Sequence, residues 1–356
     1  MSVLVVGAGI IGCAIARGLA VRGVRCTVVD DRPIAGGATQ ASAGMLAPHV
    51  EAHAGGPLLD LGLRSLDLYD DWIRDVRRES GVDVEYRRIG TLEVALDAGQ
   101  AAALKRQAPA GVAAEWFEPA AARARHPALG PNAGALLIRA HGYVAAPQLA
   151  GALATAAERH GATFQRATVH RIVMGESSAR VTTSAGDHEV TTVVIAAGAW
   201  GNAIEGVRTP PLRPVRGQLL RLDWPDQPLP AIIWGPDCYV VPRLDGTILV
   251  GATVEDVGFD ERTTEEGIAR LLAAAIALLP AVKRSRLLEA RVGLRPATPD
   301  ELPVLGSDPS SPGVVHASGH YRNGILLAPI TARLIADYVV DGKRDPSFES
   351  FRPDRF

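Results

Sequence analysis

Cysteine is scarce in this chain: there are three, Cys13, Cys26 and Cys238, an odd number with no C-x-x-C spacing. That excludes a disulfide-framed secreted domain and points to a reduced, cytoplasmic setting. Cys13 and Cys26 fall inside regular elements and read as packing residues. Net charge is also small, −2, so neither nucleic acid nor an anionic membrane is expected as a partner. No apolar run reaches the length of a membrane span, because Arg17 interrupts the first helical stretch and Asp337 the last. The N-terminus is apolar but lacks the positive region of a signal peptide. No metal site is expected: His49 and His53 lie four apart in a Pro- and Gly-rich loop, no third ligand is near, and H-E-x-x-H is absent. The G-x-S-x-G elbow and the P-loop are absent too. A metal hydrolase or an NTPase is left without support.

What is present is an ordinary globular balance, 47% hydrophobic and 21% charged over 356 residues. That suffices for two domains or one large one. The opening stretch, residues 2–31, organises the rest. An apolar run at 3–6 reads as a strand buried on both faces. Gly7, Gly9 and Gly12 follow in G-x-G-x-x-G spacing, then a helix from about residue 10 to 21, then a second apolar strand ending at Asp30 and Asp31. Gly7 makes the tight turn, Gly9 lets a pyrophosphate approach the backbone, and Gly12 lets helix and strand pack closely. The helix start, at Ile10 and Ile11, offers N–H groups and a positive dipole end to phosphates. The acid after the second strand suits ribose hydroxyls and disfavours a 2′-phosphate. FAD and NAD both remain open at this point.

Residues 33–48, PIAGGATQASAGMLAP, carry few large side chains and read as a loop passing close to a cofactor rather than a linker. Helical periodicity runs from 58 to 79. Strands are expected at 84–87, 91–95 and 135–138, with a turn at Gly142 and Tyr143 and a helix opening at Pro147. Further short strands are expected at 163–165, 169–173, 180–183 and 190–195, the last running into Ala197 and Gly198. Strands at 219–222, 232–234, 239–242 and 248–251 read as antiparallel, and a helix covers 265–279. A strand at 287–294 precedes Arg295. Near the C-terminus a strand feeds a second glycine-bearing junction, 319–324, and a last apolar helix. The fold class is α/β: a Rossmann-like dinucleotide domain interleaved with a mainly antiparallel β-sheet domain. Residues 1–80, 145–208 and 300–356 form the first, and 81–144 with 209–299 the second.

The second junction suits a long cofactor whose ring system needs its own cradle. Arg322, between glycines at a helix start, is well placed for a carboxylate. Taken alone, it also reads as a surface arginine, Arg295 as half of a structural ion pair, and Tyr239 as a half-buried sheet residue.

Four stretches together carry a resemblance: VVGAGIIG, TQASAGMLAP, GATVEDVGFD, and GLRPATPDELPVLG with ASGHYRNGILLAP. The chain resembles the D-amino-acid-oxidase-like family of FAD enzymes, and within it the glycine-oxidase branch associated with thiamine biosynthesis. The resemblance implies roles position by position. Gly7, Gly9, Ile10, Ile11, Gly12, Asp30 and Asp31 would hold the ADP half of FAD. Ser42, Ala43, Gly44, Met45 and Leu46 would run along the pyrophosphate and flavin, and Val169 would contact adenine through its backbone. Ala197 and Gly198 would close the middle of the cofactor site. Gly319, Asn323, Gly324, Ile325 and Leu326 would surround the flavin's pyrimidine side. Arg322 matches the substrate-carboxylate clamp, with Arg295 and Tyr239 lining the same pocket. Gly293 stands where sarcosine-oxidase-like relatives attach flavin to a cysteine, so non-covalent FAD is implied.

The implied activity is oxidative deamination of glycine or another small amino acid, with molecular oxygen as acceptor and hydrogen peroxide as product. The imine would hydrolyse or feed thiazole synthesis. No side chain stands out as a base, and none is needed if the amine binds neutral. Alternatives are a dehydrogenase of the same fold that reduces a quinone or another carrier, an NAD-dependent dehydrogenase, and a flavin-binding protein without turnover. The residues leave the oligomeric state open, a homo-oligomer included.

Overall fold

The strand Ser2–Val6 lies inside a six-stranded sheet. The computed structural model describes residues 1–52, 55–108 and 113–356, so His53 lies outside the described residues. Across that sheet the order is Val304–Asp308, Ser311–Ser318, Thr192–Ile195, Ser2–Val6, Arg25–Asp30 and Thr163–Arg166. All neighbours are parallel except the first pair. The continuous apolar run of the first strand follows from burial on both faces. Val3 and Val5 pack into a core with the helices Ile10–Ala20, Ala146–Arg159 and Gly324–Asp341. Leu4 and Val6 face the opposite way, into a core shared with the three-stranded sheet of Val169–Met174, Ala179–Thr183 and Gly186–Val190. Side chains alternate across a strand, so one sequence serves two cores.

A second, eight-stranded sheet has the order Leu287–Ala297, Arg213–Asp223, Thr247–Gly251, Tyr239–Pro242, Ile232–Trp234, Thr91–Ala95, Gly134–Ile138 and Ala114–Phe117. It is antiparallel apart from the pair Ile232–Trp234 and Thr91–Ala95. Here too the alternation separates two tasks. Leu220, Leu222, Ile248 and Val250 pack beneath the helix Glu265–Leu278. The intervening positions Gly217, Gly251, Gly293 and Arg295 are turned to a cavity.

The helix Pro57–Ser80 binds the C-terminal helix to the body. Pro329 lies inside Gly324–Asp341 and has no N–H to give the carbonyl four residues back, that of Ile325. The hydroxyl of Tyr69 donates to that carbonyl, and the Ser65 hydroxyl donates to the carbonyl of Leu326 at 2.6 Å. Among the described residues no helix is long and apolar enough to cross a membrane, and no cluster suited to a metal ion occurs.

Three expectations are corrected. The run 190–195 is two strands, Gly186–Val190 and Thr192–Ile195, in different sheets. Gly142 and Tyr143 form no turn; they belong to the strand Gly142–Val144, which pairs with Met45–Leu46 and Tyr86–Arg87. The strand expected at 84–87 is confined to Tyr86–Arg87.

Candidate active site

The first glycine turn is built by exclusion of side chains. Gly7 has φ +109°, and a Cβ there would strike the carbonyl of Ala196; a Cβ on Gly12 would strike the carbonyl of Gly7. Gly9 precedes the helix Ile10–Ala20, and a Cβ on it would find Thr39 Oγ1 at 3.6 Å as its nearest neighbour. Free space therefore lies beside the helix start, as close backbone approach to a phosphate requires. The Ile10 N–H donates to Thr39 Oγ1 at 3.1 Å, which brings the 33–48 loop onto the turn. Asp30 closes it from the other side: its Oδ2 accepts from the Ala8 N–H at 2.6 Å and its Oδ1 from the Arg32 N–H at 2.8 Å. Burial raises the Asp30 carboxyl above its usual range, and those two N–H groups act against the rise.

A cavity of about 220 Å³ begins at this turn. Gly7, Gly9, Ile10, Ile11, Asp30, Asp31, Val169, Ala197, Gly198, Gly319 and Gly324 all line it. The Arg32 guanidinium lies 3.9 Å over the Trp200 ring at its edge and is held there by Glu261 at 2.8 Å. Neither Arg32 nor Trp200 was singled out from the sequence, because their partnership joins residues 168 positions apart.

A second cavity, of about 270 Å³, shares Ile10, Ala38, Thr39, Tyr321 and Gly324 with the first. The two form one trough. Ser42, Ala43, Gly44, Met45, Tyr239, Arg295, Arg322, Asn323 and Ile325 line this part. Of the expected residues, Gly12, Leu46 and Leu326 line neither cavity: Gly12 is packed on Gly7, and Leu46 and Leu326 are core residues.

Arg295, Arg322 and Tyr239 meet in this part of the trough, Arg295 and Tyr239 within its wall and Arg322 exposed. The Arg295 Nη1 donates to the carbonyls of Thr253, at 3.0 Å, and Arg216, at 3.4 Å. Gly217 gives that guanidinium its room, since a Cβ there would collide with it. Gly251 does the same for Tyr239, its partner across the ladder. The Tyr239 ring stacks on Trp234 at 5.4 Å. Burial raises the Tyr239 phenol above its ordinary value, so its proton stays on at neutral pH, and burial lowers Arg295 below its ordinary value. Arg322 sits 5.9 Å over Trp234 and is paired with Glu51: Nε to Oε2 at 3.1 Å and Nη2 to Oε1 at 3.3 Å. Glu51 was not anticipated. It lies in the four-residue helix Pro48–Glu51, too short for periodicity to mark. The main chain ties the two arginines together, because the Tyr321 N–H donates to the carbonyl of Pro296 at 3.1 Å.

A family model described as FAD dependent oxidoreductase matches residues 2–338. The chain belongs to this family. It is an oxidoreductase and takes FAD as its cofactor. The walls fit that molecule: a trough that starts where a glycine turn leaves a helix N-terminus open, and ends beside a small-residue loop and two arginines. The bifunctional protein ThiO/ThiG of Synechocystis is 38% identical over 364 residues, 99% of this chain and 54% of that protein. This chain spans about half the length of the bifunctional relatives it matches. The glycine oxidase of Geobacillus kaustophilus is 34% identical over 348 residues, 95% of this chain and 92% of that one. A crystal structure of glycine oxidase from that organism superposes with a TM-score of 0.95 at 33% identity, covering 99% of this chain and 98% of the other.

Proposed function

We propose that this chain oxidises glycine or another small amino acid, with oxygen as the final acceptor and water hydrolysing the imine, giving the corresponding α-keto acid (glyoxylate from glycine), ammonia and hydrogen peroxide. The observation that carries the reading is the meeting of Arg295, Arg322, Tyr239 and Trp234 in one part of a trough that begins at the dinucleotide turn. FAD held by the residues of this trough would supply the two-electron chemistry that links amine oxidation to oxygen reduction.

This chain's residues bind and orient. In the reading proposed here, Gly7, Gly9, Ile10, Ile11, Asp30, Asp31, Val169, Ala197 and Gly198 hold the adenosine and pyrophosphate. Ser42, Ala43, Gly44, Met45, Gly319, Asn323, Gly324 and Ile325 border the flavin, and the six-stranded unit is the cofactor domain. The eight-stranded unit supplies the substrate pocket. Arg322 offers a guanidinium edge and Arg295 a second charge to the substrate carboxylate, a bidentate and charge-assisted contact. Tyr239 keeps its proton and donates from Oη. A carboxylate fixed there orients the substrate Cα, and a preference for glycine over bulky amino acids is part of the reading proposed here. No side-chain base is required when the amine binds neutral. The imine is hydrolysed or handed to a second enzyme; the further length of the bifunctional relatives supports the latter route. The buried, unpaired cysteines support a cytoplasmic setting.

A peroxidase-coupled assay tests the proposal. Peroxide is expected with glycine and sarcosine, more slowly with small D-amino acids and hardly at all with L-amino acids. Faster turnover of bulky D-amino acids would overturn the substrate assignment. Flavin reduction without peroxide would point to a dehydrogenase.

A further inference from the structure

Glu51, Arg295 and Arg322 all line the second cavity. Their charges do not balance. Glu51 occupies the Nε–Nη2 edge of Arg322 with both oxygens. A guanidinium has a second two-donor edge, formed by Nη1 with Nη2. Arg295 is held by neutral carbonyls, those of Thr253 and Arg216, and forms no ion pair among the described residues. Among the described residues that line this cavity away from its rim, two fixed positive charges therefore share one fixed carboxylate. The remaining unit matches one substrate carboxylate and no more. At the rim, Asp237 and Arg270 also line the cavity. They are opposite in sign and cancel, so they leave this balance unaltered.

We propose that Glu51 is a specificity-determining residue: it satisfies half of the site's cationic charge and so restricts the pocket to amines bearing a single carboxylate. A second carboxylate on the ligand would enter a confined space whose cations are already matched and would face Glu51 with no counter-charge. Specificity of this kind comes from a repulsive element built against the wrong ligand. Glu51 also fixes the rotation of the Arg322 guanidinium, so the edge left for substrate is defined before binding. The inference rests on the amino-acid-oxidase reading for what fills the cavity, and it adds the class of amine that is refused.

The test compares the FAD-loaded wild type with Glu51→Gln and Glu51→Asp. Acetate and malonate differ by one carboxylate, and each is titrated while the visible flavin absorbance is followed. In the wild type malonate should bind no more tightly than acetate. In Glu51→Gln the affinity for malonate relative to that for acetate should rise by about tenfold or more, whatever shift the lost charge gives acetate itself. Glu51→Asp keeps the charge and should retain the wild-type preference. In turnover, the ratio of kcat/KM for iminodiacetate to that for sarcosine should rise about tenfold in Glu51→Gln alone. If acetate and malonate shift together in Glu51→Gln, if both are lost, or if the wild type already prefers malonate, the proposal is overturned. The anion titration needs no turnover, so a protein inactive on glycine would refute the substrate assignment while leaving this result readable.

Discussion

The Tyr69 hydroxyl donates to the carbonyl of Ile325, the one carbonyl of the C-terminal helix that Pro329 deprives of its helical partner. Tyr69 is fully buried, and Ile325 lines the second cavity. Tyr69→Phe removes the donor and keeps the shape, so a buried carbonyl loses its partner at a cost of roughly 1–3 kcal/mol. The expected result is a lower thermal midpoint and weaker FAD retention on dilution, with KM for substrate changed less than either. An unaltered midpoint would show that the carbonyl is satisfied in another way.

Arg322 stands over Trp234 with one edge taken by Glu51. The Arg322 side chain is 35% exposed, so solvent screens the pair and truncation should cost about 2 kcal/mol, the low end of the range for a hydrogen-bonded charge pair. Arg322→Ala should therefore lower kcat/KM by about 30-fold. Lysine should restore little, since it lacks the planar fork that meets Glu51 and a carboxylate together. Steady-state kinetics at equal flavin occupancy is the check, and unchanged kinetics would remove Arg322 from the substrate site.

Acid should destabilise the protein through buried histidines. Burial lowers His316 to about 4 and His320 to about 3, from 6.5. The folded values lie below the unfolded one, so the unfolded chain takes up protons first as pH falls. The stability these groups contribute is complete above pH 6.5 and is lost as pH falls toward their folded values. For His316 the loss between pH 7 and pH 5 is about 2 kcal/mol. Urea midpoints of wild type and His316→Asn at the two pH values measure it. The wild type should lose more than the variant over that interval; equal losses would contradict the assignment.

FAD should be held without a covalent bond. Gly293, where the sequence resemblance implies a covalent link would otherwise form, packs so closely on the 38–41 turn that a Cβ would meet Ala41 Cβ at 3.0 Å and the Ala38 Cα at 3.1 Å. Acid precipitation should leave the yellow colour in solution. Colour remaining in the pellet would show a covalent link.

The sequence was most legible where one element carries its own pattern. The Gly7, Gly9 and Gly12 spacing could be read because turn, helix start and terminal acid lie within one short unit. Arg322, Arg295 and Tyr239 were placed together only through resemblance, since no local rule joins strand ends that meet across the fold. Glu51 was invisible because a single acid in a Pro- and Gly-rich stretch has no period. The strand expected at 219–222 proved to be Arg213–Asp223. Its first half shows no apolar run because Gly217 makes room for Arg295 and Arg216 is paired with Glu255. The run 190–195 misled for a related reason: an apolar stretch records burial and not the change of sheet at Thr191.

Anaerobic mixing of the FAD-loaded protein with glycine, followed by admission of oxygen, tests the central claim most directly. The visible flavin absorbance should bleach on mixing, and it should return with oxygen as peroxide appears in proportion to the glycine consumed. Absorbance that no concentration of glycine or sarcosine bleaches, in protein with full flavin occupancy, would contradict the account.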